Sequence, residues 1–420
     1  MQKNIIIAGA GFGGLTLALK LSKKMGRLGA QYKIILIDRH HHQLYTPALY
    51  EIASIPKETA PDENLKTSVL ISIKDAVEGT GIEFLCDEIV GLKRGDKKIV
   101  LKKSGELNYE YLALALGSET NYFNIPGLKK YSLPIKTFND GVGLRNAIEN
   151  VFLKQGHLKI VVGGAGSNGV ELVAESVNFV CKLHKKIFSA KGGSASGGKK
   201  KVCSAEFMLI EASQEILPGF EIKTVKKTRK RLESIGVKIK TGVPITSVTP
   251  KELIFQNDSR ESYDILVWTG GVKGPVIFGE FDLPLSPKGA LIADEYLRAG
   301  GEDKIFAIGD NSSFIHHQTK KPLPWNIPVA EAESRITAKN ILRSICGKSL
   351  KKYKPLKKYP FILAVGRKYS IADLLLFSFS GFFGWFLKQL VELRYLLFIL
   401  PFNKAVRTWF EGLKLFTSND

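Results

Sequence analysis

The stretch "NIIIAGAGFGGLTLALKLSKKM", residues 4–25, decides the fold. A short apolar, largely β-branched run meets glycines at once, and "LTLALKLSKKM" then carries its apolar side chains at helical spacing. The order is strand, tight turn, helix. Gly9, Gly11 and Gly14 stand in that turn in G-x-G-x-x-G spacing. Such glycines permit a sharp turn, close backbone approach to a pyrophosphate and tight helix packing, with free N–H groups at the helix start facing phosphate charge. By itself the spacing reads equally well as a plain glycine-rich turn. The next run, "YKIILID", ends on Asp38, at the distance where a carboxylate accepts both hydroxyls of an adenosine ribose, and this favours a dinucleotide.

The same unit returns beyond residue 157 as "LKIVVGGAGSNGVELVAESVNFV", with Gly164, Gly166 and Gly169, followed by "EFMLIEASQEILP", whose strand closes on Glu211. The longer separation is accounted for by "SAKGGSASGGKKK", residues 189–201, a stretch too polar to pack and read as a surface loop. An acid at that strand end repels a 2′-phosphate, and no arginine follows it closely, so NADH is expected rather than NADPH. Two nicotinamides would leave no carrier between them, so one dinucleotide is expected to be FAD.

At 420 residues the chain exceeds one ordinary hydrophobic core, and two or three domains are expected. The formal charge of +21 favours nucleic acid, anionic lipid or anionic small molecules without choosing among them. Cys86, Cys181, Cys203 and Cys346 are widely spaced and read as free thiols of a reducing compartment. The N-terminus has no apolar run long enough for a signal peptide, which places the bulk of the protein in the cytoplasm. The run His40-His41-His42 has no partner spaced for a metal, so none is expected.

The tail "DLLLFSFSGFFGWFLKQLVELRYLLFILPF", residues 373–402, is far more apolar. Its longest stretch without charge, Leu374 to Leu387, is short of the roughly twenty residues a spanning helix needs. A helix lying in a membrane interface is expected, with Phe382, Phe383, Trp385 and Phe386 entering the acyl boundary and Lys388 and Arg394 facing lipid phosphate, Trp409 adding to the same face. Residues 348–420 hold thirteen Lys/Arg against four Asp/Glu, a net of +9, which anionic lipid would feel directly. The competing reading is a helix pair burying its face in a dimer or in the protein's own core.

"IIIAGAGFGGL", "IDRHHHQLYTPALYEIAS", "YEYLALALGSETNYFNIPG", "IVVGGAGSNGVELVAE", "LVWTGGV" and "IFAIGD", in that order, resemble the flavoproteins with two dinucleotide-binding domains. "YTPALYEIAS" and the tail resemble, within them, the type II NADH:quinone oxidoreductases. The fold class implied is α/β, two Rossmann-like domains of glutathione-reductase type plus C-terminal amphipathic membrane-docking helices. Residues 1–117 and 269–345 would bind FAD, 118–268 NADH, and 346–420 the membrane. FAD would lie on Gly9, Gly11 and Gly14, with Asp38 and Arg39 at its adenosine, Ala115 and Gly117 along the flavin-side crossover, and Asp310 at the ribityl or pyrophosphate region. NADH would lie on Gly164, Gly166 and Gly169, with Glu211 on its ribose and Gly270 and Gly271 at the nicotinamide end.

Glu171 matches a family glutamate near nicotinamide and flavin; from its position alone it reads equally as a first-turn carboxylate favoured by the helix dipole. Pro47, Pro328 and Ala332 fall on the quinone side, Pro328 and Ala332 where the family has glutamines, and a helix N-terminus near residue 328 would stabilise negative charge on the flavin. The implied partners are a membrane quinone and an anionic lipid surface, peripherally at the cytoplasmic face and without nucleic acid, a homodimer being kept as an option. The alternatives are a sulfide:quinone reductase-like or other-acceptor reductase, which would use cysteines at the flavin or a different oxidant, and a nucleic-acid-binding flavoprotein resembling apoptosis-inducing factor, which would spread its basic residues over the folded body.

Overall fold

The computed structural model describes residues 2–190 and 203–418. A first unit contains β1 (Lys3–Ala8), α1 (Phe12–Met25), β2 (Tyr32–Asp38), α2 (Leu49–Ile52), β3 (Ile82–Cys86) and β4 (Tyr111–Leu114). A second contains β5 (Leu133–Pro134), α3 (Phe138–Gln155), β6 (Leu158–Gly163), α4 (Ser167–Ala190), β7 (Ala205–Ile210), β8 (Val237–Lys240) and β9 (Ile265–Trp268). The chain then returns to the first unit with β10 (Ile305–Ala307) and α5 (Ile327–Ile345). Both sheets are wholly parallel, in the orders β10-β4-β1-β2-β3 and β5-β9-β6-β7-β8.

Parallel pairing follows from strands that are apolar on both faces. In β1, Ile5 and Ile7 join the core beneath α1 and α5, while Ile6 and Ala8 join the core of the opposite face. In β6, Ile160 and Val162 face one core and Val161 the other. Each sheet reverses its strand order at its central strand, β1 or β6, and the crevice beyond the carboxyl end of that strand is where such sheets take ligands. The units are joined by two crossing segments, Glu119–Thr120 and Val272–Lys273, which pair antiparallel.

The tail forms an antiparallel sheet of β11 (Phe361–Ala364), β12 (Ser370–Asp373) and β13 (Ser378–Gly381), then α6 (Phe382–Ile399) and α7 (Phe402–Thr417). Leu363 and Ile371 pack into the core of the second unit, whereas Tyr395, Leu396, Ile399 and Ala405 pack into that of the first. The tail thus spans both units, and its helix pair buries one face in the protein's own core while leaving the other exposed.

Two expectations change. The interfacial helix does not run through 374–387: residues 374–381 make the turn and second strand of the β12–β13 hairpin, because "FSFSG" alternates with period two and Gly381, at φ 89°, breaks into the helix. Cys181 and Cys203 are not free thiols, since α4 carries Cys181 beside the approach to β7 and the two form a disulfide with Cα atoms 5.1 Å apart. The glycine-rich stretch 189–201 lies, beyond its first two residues, outside the described residues. Among the described residues no helix is long and apolar enough to cross a membrane.

Candidate active site

Both glycine turns sit at the carboxyl ends of the central strands, and their constraints match residue for residue. Gly9 and Gly164 hold φ of 102° and 99°, where a side chain would be strained. A Cβ on Gly9 would strike the Ala115 carbonyl and one on Gly164 the backbone of Gly270. Cβ atoms on Gly14 and Gly169 would strike the carbonyls of Gly9 and Gly164. Gly11 and Gly166 differ from these, for nothing lies within 4 Å of where their Cβ would be. That open side is the room a diphosphate needs against bare backbone.

The two acids anchor these turns. Asp38 accepts the Ala10 N–H at 2.7 Å through Oδ2 and the His40 N–H at 2.9 Å through Oδ1. Glu211 accepts the Ala165 N–H at 2.8 Å and the Ser213 N–H at 2.9 Å in the same way. A carboxylate has about four acceptor positions, so each retains capacity for ribose hydroxyls. Arg39 is exposed beside the first turn. Gly270 and Gly271 follow β9, where a side chain would collide with the Trp268 ring or press on Phe123.

A polar network closes the carboxyl end of the first sheet. Buried Asn311 accepts the Gly117 N–H at 3.1 Å and donates to the Leu114 carbonyl at 2.9 Å, tying the end of β4 to the turn after β10. Ser118 donates to Asp310 at 3.1 Å and accepts from Lys136 at 2.9 Å. Burial pushes Asp310 up and pulls Lys136 down, each partly held by the other's charge. Glu333, on α5, accepts the Gly309 N–H at 2.7 Å and is pushed up to about 8, chiefly by burial, with Asp310 adding to it. Asn326 caps α5 by accepting the Val329 N–H at 3.0 Å, so the helix starts where the sequence places it, with Pro328 in its first turn. Ala115 is buried in the first core just past β4, Ala332 packs half-buried against the same core, and Pro47 sits in the short turn before α2.

A partly buried ionic cluster lies where the units and the tail meet. Glu171, one turn into α4, accepts the Ala364 N–H of β11 at 3.1 Å. Burial pushes it up to about 7, the Ala364 N–H and Lys388 opposing and Glu51 adding to the effect. Lys388 of α6 donates to Glu51 at 2.8 Å and to the Tyr50 hydroxyl at 2.5 Å, with side-chain exposure of only 12%. Burial pulls Lys388 down, but Glu51, Glu392 and Glu171 more than offset it and the charge is held. Glu392, one turn along α6, is pushed up to about 7, mainly by burial. Gln43 and Tyr395, both buried, exchange hydrogen bonds of 2.6 and 2.9 Å beside them.

Lys388 therefore faces inward, not toward lipid. Trp409 is also turned in, donating to the Gln389 carbonyl at 2.9 Å and packing on the first core, and Trp385 is half-buried with Lys368 over its ring. The outward residues are Phe382, Phe383, Phe386 and Leu390 on α6, Phe402 and Phe410 on α7, and Leu376 and Phe377 at the hairpin tip, Leu376 being 86% exposed. Arg394 is exposed on the same helix and pairs with Glu331 at 3.3 Å.

Sequence reading missed Lys136, Asn311, Glu333 and Glu51. Lys136 did carry a signal, since a lysine just before a helix start opposes the helix dipole. Cys181 is ten residues past Glu171 along α4, roughly 15 Å, and Cys346 caps the far end of α5, roughly 27 Å from Pro328, whereas Cys86 ends β3 opposite Asp38 with its Sγ 3.7 Å from the Arg39 carbonyl. His40 stacks on His42, and no cluster able to hold a metal exists among the described residues.

A type II NADH:quinone oxidoreductase of Staphylococcus epidermidis is 26% identical over 404 residues, 94% of this chain and 95% of that protein. One of Staphylococcus aureus is 27% identical over 363 residues, 84% and 85% of the two chains. Among solved structures, NDH2 from Plasmodium falciparum in complex with NADH superposes with a TM-score of 0.81 at 19% identity, covering 99% of this chain and 98% of that one. The sulfide:quinone oxidoreductase of Aquifex aeolicus superposes at 0.75 with 16% identity, covering 97% and 92%; both structures bear on the fold alone. The family model described as pyridine nucleotide-disulphide oxidoreductase matches residues 3–334, which take in both glycine cradles and the strands that carry them. The paired cradles and the matched span agree, and the chain belongs to the pyridine nucleotide-disulphide oxidoreductase family.

Proposed function

We propose that this chain is a membrane-peripheral flavoenzyme that transfers a hydride from NADH to FAD and two electrons onward to a membrane quinone, without pumping protons. The observation that carries this is the ionic cluster: Glu171 from the second glycine cradle, Glu51 from the first unit and Lys388 from the tail meet at one partly buried junction. The curated relatives, type II NADH:quinone oxidoreductases over most of their length, support the same reaction.

Residues 1–117 and 269–345 form the FAD-binding part, 118–268 the NADH-binding part and 346–420 the membrane-association part. Gly9, Gly11, Gly14, Asp38, Arg39, Ala115, Gly117 and Asp310 hold FAD, which when bound supplies a two-electron acceptor that connects a hydride donor to a quinone. Gly164, Gly166, Gly169, Glu211, Gly270 and Gly271 hold NADH. Lys136 and the positive end of α5 place favourable potential at the flavin edge.

Glu171, poised near neutral pH, holds a proton at its carboxyl, delivers it toward the quinone and regains one from solvent; the second hydrogen that the quinone takes up with its two electrons is the one that leaves NADH as hydride. Lys388 keeps Glu171 from rising further and orients Glu51. Pro47, Pro328 and Ala332 border the quinone, and the apolar hairpin tip and outer face of α6 and α7 rest in the lipid interface of the cytoplasmic face.

NADH consumption with a quinone dispersed in vesicles tests the reading, NADPH serving as the comparison. NADH should be preferred by 10-fold or more, and Glu211→Gln should narrow the gap by removing the charge that repels a 2′-phosphate. Equal rates with both nucleotides in the unaltered protein would contradict the assignment.

A further inference from the structure

A cluster of cations belongs neither to the cradles nor to the ionic cluster. Lys20 and Lys23 of α1 place both ammonium groups over the ring of Phe398 on α6, at 4.8 and 5.4 Å from its centroid. Arg335 of α5 and Lys24 act on Lys20 as neighbouring like charges. Glu331 is the acid that opposes them there, and it is bound by Arg394 at 3.3 and 3.4 Å. Like charges converging on one face are unfavourable unless an anion answers them.

The position says which anion. Phe398 adjoins the exposed Leu397, at the end of the outward stripe that runs along α6 through Phe383, Phe386 and Leu390, and the exposed Phe402 follows in the next helix. Charge at the rim and apolar surface beside it match a molecule with a phosphate at one end and acyl chains at the other. We propose that Lys20, Lys23 and Arg335 bind the phosphate of an anionic phospholipid whose acyl chains lie along Leu397 and Phe402. This rests on the membrane-docking reading above and deepens it, since these three side chains lie on α1 and α5, outside the tail.

The test is flotation of the full flavin-loaded chain with vesicles of phosphatidylcholine alone and of phosphatidylcholine mixed with phosphatidylglycerol. Lys20→Gln/Lys23→Gln/Arg335→Gln should lose most of the gain that phosphatidylglycerol gives, about fivefold for each charge removed, and keep its binding to the neutral vesicles. Removing three charges instead from the helix Ile222–Ser234, as Lys226→Gln/Lys227→Gln/Lys230→Gln, should cost much less, which separates a site from net charge. Retained flavin absorbance confirms the fold, and Lys23→Gln alone should show about one third of the effect on a logarithmic scale.

A triple variant with the full phosphatidylglycerol gain overturns the site and leaves membrane docking standing. No binding of the unaltered chain to either vesicle overturns both. Calorimetric saturation by inorganic phosphate without vesicles, abolished in the triple variant, replaces the lipid with a soluble phosphate and overturns the lipid assignment.

Discussion

Glu333 is 1% exposed, with one carboxyl oxygen on the Gly309 N–H and Asp310 nearby. Its carboxyl rises from 4.5 to about 8, so between those values the folded chain binds a proton that the unfolded chain has released. Stability from this group is fully present below pH 4.5 and is lost as pH rises through 8, at roughly 1.4 kcal/mol for each unit in the window. Glu333→Gln keeps an acceptor for Gly309 and removes the titration. Thermal unfolding of the flavin-free chain should show the variant gaining on the parent from pH 6 to pH 8, and parallel curves would contradict the assignment.

Lys388 gives a second test at the same scale. Lys388→Met leaves the Glu51 side chain, 15% exposed, without its partner, at a cost of about 3 kcal/mol, whereas Lys388→Met/Glu51→Met should recover most of that loss. The single variant also removes the charge that holds Glu171 down, so the pH dependence of quinone reduction should move to higher pH. A purely structural lysine would change stability and leave that profile in place. In the proposed quinone site Pro328 and Ala332 would offer a quinone carbonyl no side-chain donor, so Ala332→Gln should lower the quinone KM by about 2- to 10-fold, one hydrogen bond's worth.

At the scale of elements, the turn after a strand was the most legible feature. Gly9 and Gly164 cannot be other residues without colliding with their own backbone neighbourhood, so local sterics write them into the sequence. The inward turn of Lys388 was not legible, because a lysine beside an apolar stripe reads the same whether it meets lipid or a carboxylate, and Glu51 is 337 residues away. The Cys181–Cys203 pair was hidden likewise by the separation of 22 residues between its members. The β12–β13 hairpin carried its signal in alternating Phe and Ser, masked by the apolar mass around it. Since its tip projects Leu376 and Phe377, Leu376→Glu/Phe377→Glu should weaken vesicle binding by 10-fold or more in flotation while leaving flavin content and NADH oxidation by a soluble acceptor unchanged.

For the whole molecule, the repeat of strand, glycine turn, helix and closing acid fixed two parallel sheets, and the family match over residues 3–334 agrees with that reading. What joins them is less visible in sequence, since it depends on the tail packing into both cores at once. That junction puts the carboxyl of Glu171 between the second glycine cradle and α6, and the proposed electron path depends on it. Anaerobic absorbance of the purified yellow protein, followed on adding NADH and then quinone in anionic vesicles, tests it most directly. NADH should bleach the bound flavin and quinone should restore the colour within turnover time, more slowly in Glu171→Gln. A colourless protein after gentle preparation, or bleaching that quinone does not reverse, would contradict the account.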